Sequence, residues 1–211
     1  MKLRKIKVLK KIFNIKQRYI FKIIIFLFFY LFIFSKANAQ VFTEYEVKAA
    51  YIYSFTKFID VWPSNVYAEK KFVIGLYGGT KIKKDLEKLL KNRKIRGKEW
   101  EIIYYPSISD FQNKKYKEPD IIFVSEIRKD KIYDMLFAVQ EIYNESSKKK
   151  KSILTIGDNL DGFCESGGMI NFTPKNSKRQ FQINNEAVKN AGFKISSKLL
   201  HLSKIIKNFQ E

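Results

Sequence analysis

From residue 43 onward the chain alternates between apolar residues three to four apart and short continuous apolar runs, and each change of period marks a change of element. Thr43-Glu44-Tyr45-Glu46 has the Ser/Thr-x-x-Glu form of a capping box, in which a hydroxyl and a carboxylate satisfy the unpaired amides of a helix start. Val47, Ala50, Tyr51, Ser54, Phe55, Phe58 and Trp62 then recur at helical spacing, predicting one buried helix face that runs until Pro63. Residues 72–77 (FVIGLY) predict a strand, Gly78-Gly79-Thr80 a turn, and Ile82, Leu86, Leu89 and Leu90 the apolar side of a helix over 81–92. Residues 100–105 and 121–124 read as second and third strands. Ile127, Ile132, Met135, Leu136, Val139, Ile142 and Tyr143 give a helix over 127–143, residues 148–151 an exposed lysine turn, and 152–156 a fourth strand.

The last quarter changes character. Residues 169–172 and 180–183 flank the turn Pro174-Lys175-Asn176-Ser177 and read as a β-hairpin. Asn184 caps a short helix that Gly192 ends; Ser196 or Ser197 starts a final one, with Leu199, Leu202, Ile206 and Phe209 as its buried stripe. Strands alternating with helices, the strands short and apolar on both faces, predict an α/β fold: one layered domain, with a mixed, mainly parallel sheet flanked by helices and a C-terminal β-hairpin plus helices. No linker or internal repeat interrupts residues 40–211.

Composition changes the picture chiefly at the N-terminus. Residues 1–22 carry nine Lys/Arg and no acid, residues 23–34 are wholly apolar, and Ala37-Asn38-Ala39 supplies a small-x-small site. That is the layout of a secretory signal peptide over 1–39, cleaved after Ala39, and the apolar run is shorter than the roughly 20 residues a membrane span needs. A periplasmic, mature chain over 40–211 follows. The formal net charge of +20 owes ten positive charges to this leader, leaving 31 basic against 21 acidic side chains. The remaining lysines are scattered without interleaved aromatics, which argues against nucleic acid as a partner and for a solvated basic surface.

Candidate chemistry is sparse. Gly75 to Thr80 lacks the spacing of a dinucleotide or P-loop fingerprint and reads as a tight turn. Asp158, Asp161 and Glu165 cluster around Gly162 without EF-hand spacing or a histidine, so turn chemistry is preferred to a metal site. His201 is the sole histidine and has no partner at catalytic or ligand spacing; a helix-surface position is expected. Cys164, the only cysteine, excludes an intramolecular disulfide and leaves three readings: a buried inert thiol, a redox-active thiol, or a bridge in a homodimer. Nucleophilic use would need a base that the sequence does not supply. Glu165 and Arg179 flank the hairpin, either as a salt bridge across it or as contacts to another protein.

Two blocks resemble the YfiR family. The first is Glu44-Tyr45-Glu46-Val47-Lys48-Ala49-Ala50-Tyr51, Phe55-Thr56-Lys57-Phe58 and Trp62-Pro63. The second is Ile153-Leu154-Thr155-Ile156, Phe163, Glu165, Gly167-Gly168-Met169-Ile170-Asn171-Phe172, Arg179, Phe181, Ile183-Asn184, Ala187, Ala191-Gly192 and Ile195-Ser196-Ser197-Lys198-Leu199-Leu200. The resemblance implies an exported α/β protein that binds the sensory domain of an inner-membrane diguanylate cyclase and represses it, limiting cyclic di-GMP and biofilm formation. It implies no enzyme activity and no cofactor. Some members carry cysteine pairs that couple redox state to repression, a mechanism that Cys164 alone does not provide. An alternative is a periplasmic ligand-binding or accessory protein for another membrane sensor, such as a histidine kinase; a hydrolase ranks last. Glu165, Met169, Ile170, Phe172 and Arg179, on and beside the hairpin, are the expected partner-binding surface. Strand alternation leaves open whether Ile170 and Phe172 or Met169 face the core.

Overall fold

In the computed structural model the described residues are 42–63, 71–112, 116–145, 152–174, 176–178 and 180–207, with six positions between 17 and 26. The expected leader and its cleavage site, Arg179, and the lysine turn at 148–151 lie outside the described residues of the folded unit. Among the described residues no helix is long and apolar enough to cross a membrane.

Helix α1 (Glu44–Phe58) begins as its capping box predicts: Glu46 N donates to Thr43 Oγ1 at 3.1 Å, and Thr43 N donates to Glu46 Oε2 at 2.9 Å. Its end and its buried face differ from expectation. Ile59 leaves the helix for strand β1 (Ile59–Val61), which pairs antiparallel with β8 (Lys194–Ile195), so the helix stops before Pro63. Lys48, Ala49, Ile52, Phe55 and Thr56 face inward, whereas Val47, Ala50 and Phe58 are exposed. The buried face is turned by about 100°, one residue, from the predicted one. Both faces carry apolar residues at helical spacing, and packing against the sheet chose between them.

The main sheet has strand order β3-β2-β4-β5-β6-β7-β9. Its strands are β2 (Lys71–Gly78), β3 (Glu99–Tyr105), β4 (Ile121–Ser125), β5 (Leu154–Asp158), β6 (Ile170–Phe172), β7 (Phe181–Asn184) and β9 (Lys204–Ile206). Every neighbouring pair is parallel except the β6–β7 hairpin, which is antiparallel with Ile170 opposite Ile183. The connections carry α2 (Lys83–Leu90), α3 (Ile108–Gln112), α4 (Asp130–Glu145), α5 (Asn185–Asn190) and α6 (Ser197–Leu202). The mixed, mainly parallel α/β architecture is therefore as the sequence predicts.

Two-residue alternation sorts the sheet into two cores. Ile121 and Phe123 of β4 pack with Phe72, Ile74 and Leu76 of β2 under α1 and α2; Ile122 and Val124 face the other way, toward Ile132, Met135, Ala138 and Ile142 of α4. All four β4 residues are 0% exposed, as a strand covered on both faces requires. Asp120 pins the entry to β4: its Oδ2 accepts from Val73 N at 2.7 Å and its carbonyl accepts from Leu154 N at 3.0 Å.

The final segment corrects the sequence reading. Ser196 does cap a helix and Leu199 is buried, but α6 ends at Leu202, which is 57% exposed. Residues Lys204–Ile206 form β9, parallel to β7, instead of a continued helical stripe, and Phe209 lies outside the described residues. The free edge of β7 offers the backbone a ladder of hydrogen bonds, which outweighs local helical periodicity.

Candidate functional site

The residues that carry the C-terminal resemblance build a clamp around the loop at 159–168. Phe163 is fully buried beneath two glycines: a Cβ on Gly168 would lie 2.3 Å from its ring carbons, and one on Gly157 2.9 Å. Asn171, on β6, holds the start of the loop with both ends of its amide, Oδ1 accepting from Leu160 N at 3.1 Å and Nδ2 donating to Leu160 O at 2.8 Å. Asn184, on β7, holds the other side: Nδ2 donates to Cys164 O at 2.7 Å while Oδ1 caps α5 by accepting from Ala187 N at 2.9 Å. Thr155 Oγ1 accepts from Met169 N at 2.9 Å. The two carbonyls also accept backbone bonds within the loop, Leu160 O from Phe163 N and Cys164 O from Gly167 N, each at 3.2 Å, so the asparagines add side-chain ties to a loop that already folds back on itself.

The expected partner surface divides into core and half-buried positions. Met169, Ile170 and Phe172 are 6%, 0% and 2% exposed and belong to the core, so none of the three forms an exposed patch. Phe172 stacks on Phe55 of α1 with ring centroids 5.9 Å apart. The reason is that Ile170 and Phe172 belong to an interior strand covered on both sides, while Met169 is tied down by Thr155. Glu165 is half-buried, and its Oε2 is enclosed without a hydrogen-bond partner.

Cys164 is 0% exposed, and burial, reinforced by the neighbouring Glu165 carboxylate, pushes its thiol up to about 12. It is therefore protonated and enclosed, the environment of an inert cysteine. His201 sits exposed on α6. The acidic cluster is dispersed by its partners: Asp158 bonds to Lys48, and Asp161 to Lys129 at 3.0 Å. Among the described residues no three His, Cys, Asp or Glu side chains are placed to share a metal ion. Gly78, the last residue of β2, turns at φ +83° directly against Ser125 O, where a Cβ would lie at 1.9 Å, which accounts for a glycine at this tight turn.

Lys48 escaped the sequence reading. Its ammonium is 2.5 Å from Asp158 Oδ1, bonds Glu44 one helical turn earlier, and lies over the rings of Tyr45 and Phe172 at 5.1 and 6.0 Å. Burial acts to lower the Lys48 ammonium, but its bonds to Asp158 and Glu44 outweigh this and hold it above its ordinary value. Burial raises the Asp158 carboxyl against the pull of Lys48. A hollow of about 130 Å³ opens beside Lys48 between α1 and the hairpin, lined in part by Phe42, Val47, Tyr51 and Gln180. The signal for the pair was a lysine four residues after Glu44, within a helix face otherwise apolar.

A larger groove, about 320 Å³, runs between α4 and α5 beside Gly167. Tyr133 and Phe137 form one wall, 67% and 48% exposed and stacked with centroids 6.3 Å apart. Ala187, Ala191 and Met169 line the groove, and Ser152 lies buried beside it. The predicted stripe of α4 did not include Tyr133 and Phe137; two aromatics one turn apart, off that stripe, were the available signal.

Compared with curated proteins, the sequence has no match. A family model described as YfiR/HmsC-like matches residues 45–204, from the first turn of α1 to the start of β9, and the chain belongs to that family.

Proposed function

We propose that this protein is exported by a signal peptide over residues 1–39 and acts in the periplasm as a negative regulator of a membrane-bound diguanylate cyclase. The observation that carries the reading is the family match across the described α/β fold. The site chemistry is consistent with regulation through binding: the one thiol is buried and protonated, and the one histidine is exposed on α6. Repression requires that the protein bind the inactive form of the cyclase better than the active form, since equal affinity shifts nothing.

Glu165 and Arg179 remain our assignment for the partner contact, with Met169, Ile170 and Phe172 positioning the hairpin from beneath. The enclosed Glu165 Oε2, lacking a hydrogen-bond partner, gains one by turning out toward a donor on the cyclase. Deleting the gene raises cyclic di-GMP and surface attachment, and supplying it in trans restores both. Unchanged cyclic di-GMP with an altered sensor-kinase output would replace the cyclase with that kinase. Glu165→Lys and Arg179→Glu each relieve repression while the protein still accumulates folded; full repression by both folded variants would move the contact elsewhere.

A further inference from the structure

We propose that the groove between α4 and α5 is a binding site for a small, neutral, planar aromatic molecule carrying one hydroxyl or amide-like group. Its volume of about 320 Å³ is at the lower end of the range of small-molecule sites and suits one or two fused rings. The stacked pair Tyr133 and Phe137 supplies an exposed aromatic wall, which a flat ligand extends by a further ring. The small side chains of Ala187 and Ala191 leave the width that a ring requires.

Two observations specify the ligand further. Although 29% of the chain is charged, none of the described lining residues is, so among them nothing neutralises an ionic group. Ser152 lines the groove, is only 3% exposed, and has a hydroxyl without a hydrogen-bond partner. A buried polar group left unpaired is costly, and one complementary group on the ligand satisfies it. The cost of that unpaired hydroxyl in the empty protein is then recovered on binding. The groove binds its ligand whatever the membrane partner is.

The test is a fluorescence titration of the purified protein with 2-naphthol, alongside naphthalene, which lacks the hydroxyl, and naphthalene-2-sulfonate, which is charged. The expected result is saturable one-to-one binding of 2-naphthol, about tenfold tighter than naphthalene, the size of effect that one rescued buried hydroxyl gives. Ser152→Ala removes that advantage without lowering the melting temperature, because the hydroxyl it deletes has no partner. Phe137→Ala, on the exposed wall, weakens both neutral ligands several-fold while leaving the fold intact. Absence of saturation, equal binding of the sulfonate, or affinity unchanged in both folded variants would each overturn the proposal.

Discussion

Lys48 Nζ lies 2.5 Å from Asp158 Oδ1, a bond that ties helix α1 to the C-terminal end of strand β5 across 110 residues of sequence. The two side chains are only 9% and 6% exposed, so each charge depends on the other. Their places are unequal, however, because Glu44 also bonds Lys48 and is itself half in solvent.

From that inequality follows an order of costs. Lys48→Met leaves the Asp158 carboxylate enclosed and unpaired, and costs about 3 kcal/mol or more, whereas Asp158→Asn leaves Lys48 with Glu44 and costs less. The double variant Lys48→Met, Asp158→Leu regains most of the loss, since matched apolar groups remove both desolvation costs together. Urea denaturation of the four proteins gives the comparison; strict additivity of the two single changes would show that the pair is not coupled.

Cys164 supplies a pH prediction. Its thiol is held up at about 12 by burial, whereas an exposed thiol ionises some three units lower. A folded value raised above the unfolded one means that the stability it contributes is full below the unfolded value and is lost as pH rises toward the folded one. Between about pH 9 and pH 11 the parent should therefore lose stability by about 1.4 kcal/mol per pH unit more than Cys164→Ala does. Equal slopes would place the thiol in contact with water. By the same argument a thiol-specific reagent should be excluded from the native protein and react at once in denaturant.

At the start of α1 the sign is opposite. The Glu46 carboxyl is held below its ordinary value, first by the hydrogen bond from Lys88, at 2.7 Å, and then by the backbone N–H of Thr43. A depressed folded value gives stability that is present above the unfolded value and disappears as pH falls through the folded one. Melting temperatures recorded from neutral pH into the acid range should fall more steeply for the parent than for Glu46→Gln. Parallel curves would show that the capping-box carboxylate is not coupled to folding.

Gly168 is a steric prediction. The Cβ of Gly168→Ala meets the Phe163 ring at 2.3 Å and the Phe163 carbonyl oxygen at 2.7 Å, so the loop at 159–168 must lift. A loss of about 2–3 kcal/mol is expected, in the range of overpacked cores. Phe163→Leu in the same chain should recover only part of it, because the backbone contact remains. Alanine at Gly167 meets open space and suffers only from φ +98°, so it should cost about 1 kcal/mol, a backbone strain alone. If both alanine variants melt alike, the packing of Phe163 against Gly168 is not what limits the site.

Local rules made much of this protein legible from its residues alone. The capping box at Thr43, the strands at 72–77 and 121–124, the hairpin turn at Pro174 and the Asn184 and Ser196 caps each depend on neighbours within a few positions, so spacing and residue type were enough. The parallel α/β arrangement followed from the order of those elements, because strands buried on both faces need helices above and below. Tertiary structure decided what periodicity left degenerate. Two faces of α1 carry apolar residues at helical spacing, and the sheet buried the one with Ala49, Ile52 and Phe55, which brings Lys48 inside, where Asp158 at the end of β5 pairs with it. Residues 204–206 read as helix and became β9, because β7 had an unpaired edge. The apparent surface at Met169, Ile170 and Phe172 turned out to be core because whether a strand's faces meet water depends on what packs over the sheet, as Phe55 of α1 packs on Phe172, and residues far away in sequence supply that cover.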